Sequence, residues 1–399
     1  MFSLRWNVLT LSIIGAVIGL ANSSIELTQQ PFMLDIVGDI MLISLLLSFF
    51  SLISSLISLF GGFLADKYGR KLTMIEGFVL SFVGVTLMFV SHGTSLLILA
   101  MTVWSVGAAI PKSATIAMLA ESANKEKRSK AFSYFGTLST LGQVLGPFIG
   151  GFLFATCGIR GPVFLALIMY FLLIATSITL LRETQARRKR LLPFNLTGIR
   201  EIHNSLPDPR SLYMLILAEV VLGFGGSVGR SLLILYAQKS LKATPFDIGL
   251  IMGATYLFML IFMIPAGLLA DRIGRVTLLL LEETLTIIIP IGFALSHEPY
   301  HLIALQSILG FGLAMGTPGW LALQTELMPA RDRAKLLSFY DFVSLIARMP
   351  GPYLSGLVWT LQGPRQMFLL SSALSWPTLL IVYFGVKDTL KKIKCTHDV

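Results

Sequence analysis

The chain has 399 residues, of which 55% are hydrophobic and only 13% charged, with a formal net charge of +10. A soluble chain carries about 25% charged residues, so this composition excludes a water-soluble enzyme. Membrane helices of about 20 apolar residues account for most of the length, and no stretch is long and polar enough for a second, soluble domain.

Taken in chain order, apolar runs fall near 7–28, 40–64, 73–91, 95–120, 131–156, 161–181, 211–237, 246–270, 276–295, 300–325, 336–360 and 366–386. Twelve runs predict an all-α integral membrane protein. The first run has Arg5, an apolar stretch and small residues near Ala21, as a signal peptide does, but the repeat described below requires it as a retained helix. The longest polar stretch, 182–210, contains Arg187-Arg188-Lys189-Arg190, Pro193, Pro207 and Pro209 and is expected to be a linker. The predicted organisation is therefore a six-helix bundle over 1–182, a cytoplasmic linker over 183–210, and a second six-helix bundle with a short cytoplasmic tail over 211–399. Cys157 and Cys395 are expected near opposite faces of the membrane, so no disulfide is expected. His92, His203, His297, His301 and His397 fall in predicted loops or ends, and no metal or cofactor is expected.

The two halves are copies. A constant shift of 205 places Gly62-Phe63-Leu64-Ala65-Asp66-Lys67-Tyr68-Gly69-Arg70 on Gly267-Leu268-Leu269-Ala270-Asp271-Arg272-Ile273-Gly274-Arg275, with six of nine positions identical. The same shift takes Gly107 to Gly312, Glu121 to Glu326, Lys130 to Lys335, Gly146-Pro147 to Gly351-Pro352 and Gly151 to Gly356. Six spans per copy keep both copies in one orientation, the parallel-repeat transporter architecture. With the N-terminus inside, 24 of the 31 Lys and Arg residues lie on the cytoplasmic side. By the positive-inside rule both termini are then cytoplasmic. The positive charge reads as a topology signal and a contact with anionic lipid, not as a nucleic-acid surface.

These residues resemble the major facilitator superfamily, over essentially the whole chain. The family's loop motif between spans 2 and 3 stands here as Gly62, Leu64, Ala65, Asp66, Gly69, Arg70 and Lys71, with a second copy at Gly267, Asp271, Gly274 and Arg275. Span 5 carries Gly142-x-x-x-Gly146-Pro147-x-x-Gly150-Gly151, similar to the antiporter motif of the drug/proton efflux branch. One departure stands out: the Arg four residues before the span-4 glycine is replaced by Val103, and its counterpart is Gln306. The resemblance implies that Asp66 meets the N-terminus of span 11, that Arg70, Lys71, Arg128 and Glu121 form a gating ion network, and that spans 1, 4, 7 and 10 line a central cavity.

Elementary chemistry assigns further roles. Gly69 and Gly274 permit positive φ in tight reversals. Gly146-Pro147 and Gly351-Pro352 sit mid-span, where proline removes a donor and kinks the helix. Gly142, Gly146, Gly150 and Gly151 offer a flat face for close packing, so span 5, and span 11 with Gly351, Pro352 and Gly356, are expected to serve as hinges. Spans 4 and 10 are also interrupted, by Gly107 and Pro111 and by Gly310, Gly312, Gly316, Pro318 and Gly319, the pattern that marks a transport site. Intramembrane charges cost about 2.5–3.5 kcal/mol on insertion scales and default to function. The candidates for substrate or coupling are Glu26, Asn22, Lys112, Glu219, Arg230, Arg348, Asp341 and Trp320. Glu219 and Arg230 share a helix face, and Glu26 is expected to pair with Arg230. Glu76, Glu282 and Glu283 read as structural.

The expected function is secondary-active transport by alternating access, as proton-coupled efflux of a small amphipathic molecule or drug. The alternative is transport of an organic anion or other small metabolite, motivated by Lys112, Arg230 and Arg348. The chain has no Gly-Lys dipeptide, so P-loop ATP use is excluded. The expected partners are a small-molecule substrate, a proton and the lipid bilayer, with no nucleic acid; the chain is expected to be a monomer in the cell membrane.

Overall fold

A computed structural model of the chain describes residues 2–123, 128–184, 206, 208–329 and 333–388. Among these residues every regular element is helical. In chain order the spans are α1 (Phe2–Val37), α2 (Ile40–Tyr68), α3 (Arg70–Val90), α4 (Thr94–Ser122), α5 (Arg128–Cys157), α6 (Arg160–Leu180), α7 (Pro209–Ser240), α8 (Pro245–Ile273), α9 (Arg275–Leu295), α10 (Pro299–Leu327), α11 (Arg333–Arg348 and Gly351–Gln362) and α12 (Pro364–Gly385). Eleven of them are long and apolar enough to cross a membrane. The remaining one, α11, is divided at Met349-Pro350 into two shorter helices. The sequence pattern expected one run over 336–360. A second proline, Pro350, two residues before Pro352, deprives that turn of two backbone donors and separates the pieces. By contrast α5 stays continuous across Pro147. Spans α4, α7 and α12 are also interrupted, near Ile110, Ser231-Leu232 and Trp376.

The residue distribution is that of a lipid-solvated protein. Large apolar side chains such as Phe152, Phe171, Ile264, Leu268 and Phe384 point outward, while Ser44, Ser81, Ser177 and Ser355 are buried. Burial of small polar residues lets backbones approach closely where water supplies no driving force. Two of these hydroxyls return to carbonyls one turn back, Ser44 Oγ to Ile40 O at 2.7 Å and Ser355 Oγ to Gly351 O at 2.9 Å.

The chain divides into two compact units, 1–192 with 234–256, and 193–233 with 257–399. Most of the expected 183–210 linker, including Arg187-Arg188-Lys189-Arg190, lies outside the described residues. In the first unit α1 packs on α5 through glycines. A Cβ at Gly142 would overlap the Ala16 carbonyl, and one at Gly146 would overlap Ser23 Oγ. Ser24 Oγ donates to Gly146 O at 3.3 Å across the same seam. The first part of α8 joins this unit, with Gly249 against Gly151, and Leu235 N donates to Gln30 Oε1 at 3.2 Å. In the second unit α7 packs on α12, where Ser371 Oγ donates to Gly225 O at 2.7 Å. At one end of that unit Leu212, Leu215, Leu279, Leu323, Tyr340 and Val382 form an apolar core.

Candidate functional site

The two Gly/Asp/Arg loops are built as the spacing predicts. Gly69 sits at φ 109° and Gly274 at φ 114°, each joining two long helices without a gap. In the first unit Asp66 pairs with Arg70 at 2.7 Å, one helical turn away, and Arg70 reaches Glu121 at 3.3 Å. Lys71 Nζ donates to Ile178 O at 2.7 Å, while Arg128 is exposed. In the second unit Arg275 pairs with Glu326, the counterpart of the Arg70–Glu121 bridge under the 205 shift. The side chain of Asp271 lies outside the described residues.

Each loop has a partner that sequence reasoning missed. Arg70 N and Lys71 N donate to the two carboxylate oxygens of Glu183 at 3.1 and 3.0 Å. An anion at a helix N-terminus satisfies orphan donors and is favoured by the helix dipole. In the second unit Val276 N donates to Asp388 Oδ2 at 3.4 Å. Glu183 and Asp388 are 205 residues apart, so the repeat itself carried the signal. Thr184 Oγ1 also donates to Glu121 Oε2 at 2.6 Å, joining the chain after α6 to the same ion network.

The candidate intramembrane residues separate into two groups. In the second unit Glu219 of α7 is a hub. Arg348 contacts its Oε1 at 2.5 Å, Ser344 Oγ donates to the same oxygen at 2.5 Å, and Tyr340 Oη donates to Oε2 at 3.1 Å. Residues 340, 344 and 348 are one turn apart, so one stripe of α11 faces one carboxylate. The Glu219 side chain is 12% exposed and that of Arg348 is 54% exposed. Trp320 of α10 stands edge-on to Tyr340, with ring centroids 6.4 Å apart, and hydrogen-bonds Glu282 of α9. Thus Glu219, Arg348 and Trp320 are brought together, with Tyr340 and Ser344 as members sequence reasoning did not place there and Glu282 and Glu283 standing beside them. The Tyr340-x-x-x-Ser344-x-x-x-Arg348 spacing was the available signal. Asp341, the neighbour of Tyr340, is exposed, and Arg230 is exposed at the end of the first helical piece of α7.

In the first unit the polar network is neutral. Tyr170 Oη donates to Asn22 Oδ1 at 2.6 Å and accepts from Trp104 Nε1 at 3.1 Å. Glu26 and Lys112 are both exposed. Glu26 and Arg230, the pair expected from the repeat, belong to different units. Of the expected hinge residues, Gly142, Gly146, Pro147 and Gly151 lie within continuous α5, and Gly351, Pro352 and Gly356 are buried in the second piece of α11. Gly62 has room beside Ser113, and Gly267 faces open space. His297 and His301 lie at the start of α10, where Glu298 N donates to His301 Nδ1 at 3.3 Å in a capping box. Among the described residues no group of three or more His, Cys, Asp or Glu is arranged to hold a metal.

Membrane-length helices in two copies of one pattern, with acid and base groups held inside the second copy, define a multi-pass membrane transporter of small molecules. The Major Facilitator Superfamily profile matches residues 11–217 and again 215–394, one match per half, and the chain belongs to this superfamily. It is a transporter, not an enzyme. The chain is similar to the multi-drug resistance efflux pump PmrA of Streptococcus pneumoniae serotype 4, 26% identical over 324 residues, covering 80% of this chain and 79% of that one. It is also similar to the quinolone resistance protein NorA of Staphylococcus aureus, 29% identical over 226 residues, 56% of each chain. Among solved structures, a POT family transporter in complex with 5-aminolevulinic acid matches with TM-score 0.80 at 15% identity, over 95% of this chain and 96% of that one. The human organic anion transporter MFSD10 matches with TM-score 0.68 at 16% identity, over 95% and 99%. At these identities the solved structures establish the fold alone.

Proposed function

We propose that the protein exports small amphipathic molecules across the plasma membrane in exchange for protons, with both termini in the cytoplasm and the two sequence halves alternating access as a monomer. The observation that carries this reading is the Glu219–Arg348 pair inside the second unit. A carboxylate held by one guanidinium, one phenol and one hydroxyl has two states. Ionised, it keeps Arg348 and the α11 stripe against α7. Protonated, it loses the charge that holds Arg348. A proton is then a ligand that favours one arrangement of α7 and α11 over the other, which is what coupling requires. The PmrA and NorA relatives, a multi-drug resistance efflux pump and a quinolone resistance protein, support export of drug-like molecules. The Asp66–Arg70–Glu121 and Arg275–Glu326 clusters would act as gates on the cytoplasmic face, and α5 and α11 as hinges.

The test is purified protein in liposomes under an imposed pH gradient, with ethidium as substrate. Glu219→Gln is expected to abolish gradient-driven transport while leaving ethidium counterflow without a gradient. Full gradient-driven transport by Glu219→Gln would sink the coupling role. A second reading, transport of an organic anion, is favoured by the half-exposed Arg348, which could receive a carboxylate beside Glu219. Counterflow of radiolabelled organic anions, with no ethidium transport, would select it.

A further inference from the structure

Two acids of α9 have no part in the hub yet stand beside it. Glu283 is fully buried, and neither of its carboxyl oxygens has a hydrogen-bond partner. Glu282 is 6% exposed, and its Oε2 is likewise without a partner. Two adjacent carboxylates in such a place would repel each other and lose their water, with one hydrogen bond, from Trp320 to Glu282, set against both costs.

Among the described residues, the groups around them supply no cation. From α7 the nearby charge is Glu219, itself committed to Arg348; Arg210 and Arg230 lie at the ends of the first piece of that helix. From α10 comes Trp320; Glu326 lies at the other end of that span from His301 and pairs with Arg275. From α11 come Tyr340 and Ser344, both donating to Glu219. Within α12 the charged residue is Arg365, at the far end from α9's start, and Ser372 donates to Ile287 O at 2.7 Å. On α9 itself Arg275 lies seven residues earlier, about 10 Å along the helix.

The space for this pair is built into the backbone. A Cβ at Gly316 of α10 would overlap the Glu282 carboxyl. Under the 205 shift the corresponding crossing of the first unit has Gly77 on α3 and Pro111 on α4, where the proline ring fills the notch above the glycine. In the second unit the small residue has moved to the partner helix, and the acid occupies the notch.

We propose that Glu282 and Glu283 form a proton-binding site distinct from Glu219, buried where α9 crosses α10. A proton carried by either carboxyl removes the repulsion between them. The same proton exchanges with Glu219 during transport: the α9 pair releases it towards the cytoplasm and is refilled from Glu219, which lets go of Arg348 while it carries the proton. This inference rests on the proton-coupled reading for its transport step, but not for the existence of the site.

The experiment uses the full chain in liposomes, with two readouts. The first is the infrared carbonyl stretch of protonated carboxyls at neutral pH. The unaltered protein is expected to show the band, Glu282→Gln/Glu283→Gln to lose it, and Glu219→Gln to retain it. Absence of the band from the unaltered protein, or its persistence in the double variant, would overturn the site. The second readout is ethidium transport driven by a pH gradient. The double variant is expected to reduce it about tenfold and to shift its pH profile, while ethidium counterflow persists. An unchanged profile would overturn the exchange with Glu219. No gradient-driven transport by the unaltered protein would instead defeat proton coupling, and the infrared band would still decide the site. Should the double variant fold poorly, Glu283→Asp and the pH titration of the unaltered protein's band give the same decision.

Discussion

The two halves share their backbone devices and differ in their charges. The reversals at Gly69 and Gly274, the bridges Arg70–Glu121 and Arg275–Glu326, and the caps Glu183 and Asp388 all recur at the 205 offset. The intramembrane acids do not. Where the second half has Glu219, Glu282, Glu283 and Arg348, the first half has Ile14, Gly77, Phe78 and Gln143. One copy therefore provides a neutral network around Tyr170, and the other a set of buried acids around one arginine. Duplication supplied two equal scaffolds, and among the described residues buried carboxylates, costly in lipid, lie in the second alone, while Glu26, Glu76 and Lys112 of the first are exposed.

The largest expected effect follows from that asymmetry. Arg348→Met leaves the mostly buried Glu219 without its cation, which is expected to cost about 2–3 kcal/mol, below the full cost of a broken buried pair because Arg348 is half exposed. The matching change in the first unit, Gln143→Met, is expected to stay within about 0.5 kcal/mol. Thermal unfolding of the purified variants in detergent measures both, and equal losses would show that the two positions are equivalent after all.

Next come the notches. Gly77→Ala and Gly316→Ala each force a Cβ into a filled space, at a cost of about 1–3 kcal/mol. Their rescues should differ. Glu282→Ala is expected to relieve Gly316→Ala, whereas Gly77→Ala needs relief at Pro111. A double-mutant cycle on melting temperature that finds no coupling between positions 282 and 316 would remove the notch argument.

The reversal glycines sharpen the likeness instead. Gly69→Ala and Gly274→Ala should each cost about 1–2 kcal/mol, since both residues hold positive φ. A clear difference between the two would mean that one loop can relax its turn. The smallest effect is expected at the caps. Glu183→Gln should cost about 0.5–1 kcal/mol and Asp388→Asn less, because two backbone donors of α3 reach Glu183 at 3.1 and 3.0 Å while Val276 N of α9 reaches Asp388 at 3.4 Å. The reverse order would show that the second cap is the stronger.

Much of the scaffold is legible in the sequence. Apolar runs located the spans, and the Gly69 and Gly274 positions announced their φ because a helix–helix reversal needs it. The division of α11 was not read, since the pattern over 336–360 registers hydrophobicity and Pro350 adds little to that measure. The site was legible in part. Glu219 and Arg348 were recognised as costly charges, but their partnership was not, because helix periodicity relates residues along one helix and this pair spans two. Glu282 and Glu283 were read as structural from their nearness to a helix end. Their isolation depends on what α7, α10 and α12 present to them, which no single-helix pattern contains.

The helix-capping carboxylates stand just past the last span of each half, Glu183 after α6 and Asp388 after α12. A fusion partner, affinity tag or truncation that begins before residue 388 would strip α9 of its N-terminal anion, whereas one that begins a few residues later would spare it. The same holds for cutting the chain in two for coexpression: a break placed beyond residue 184 keeps the first half's anchor with the helix it serves.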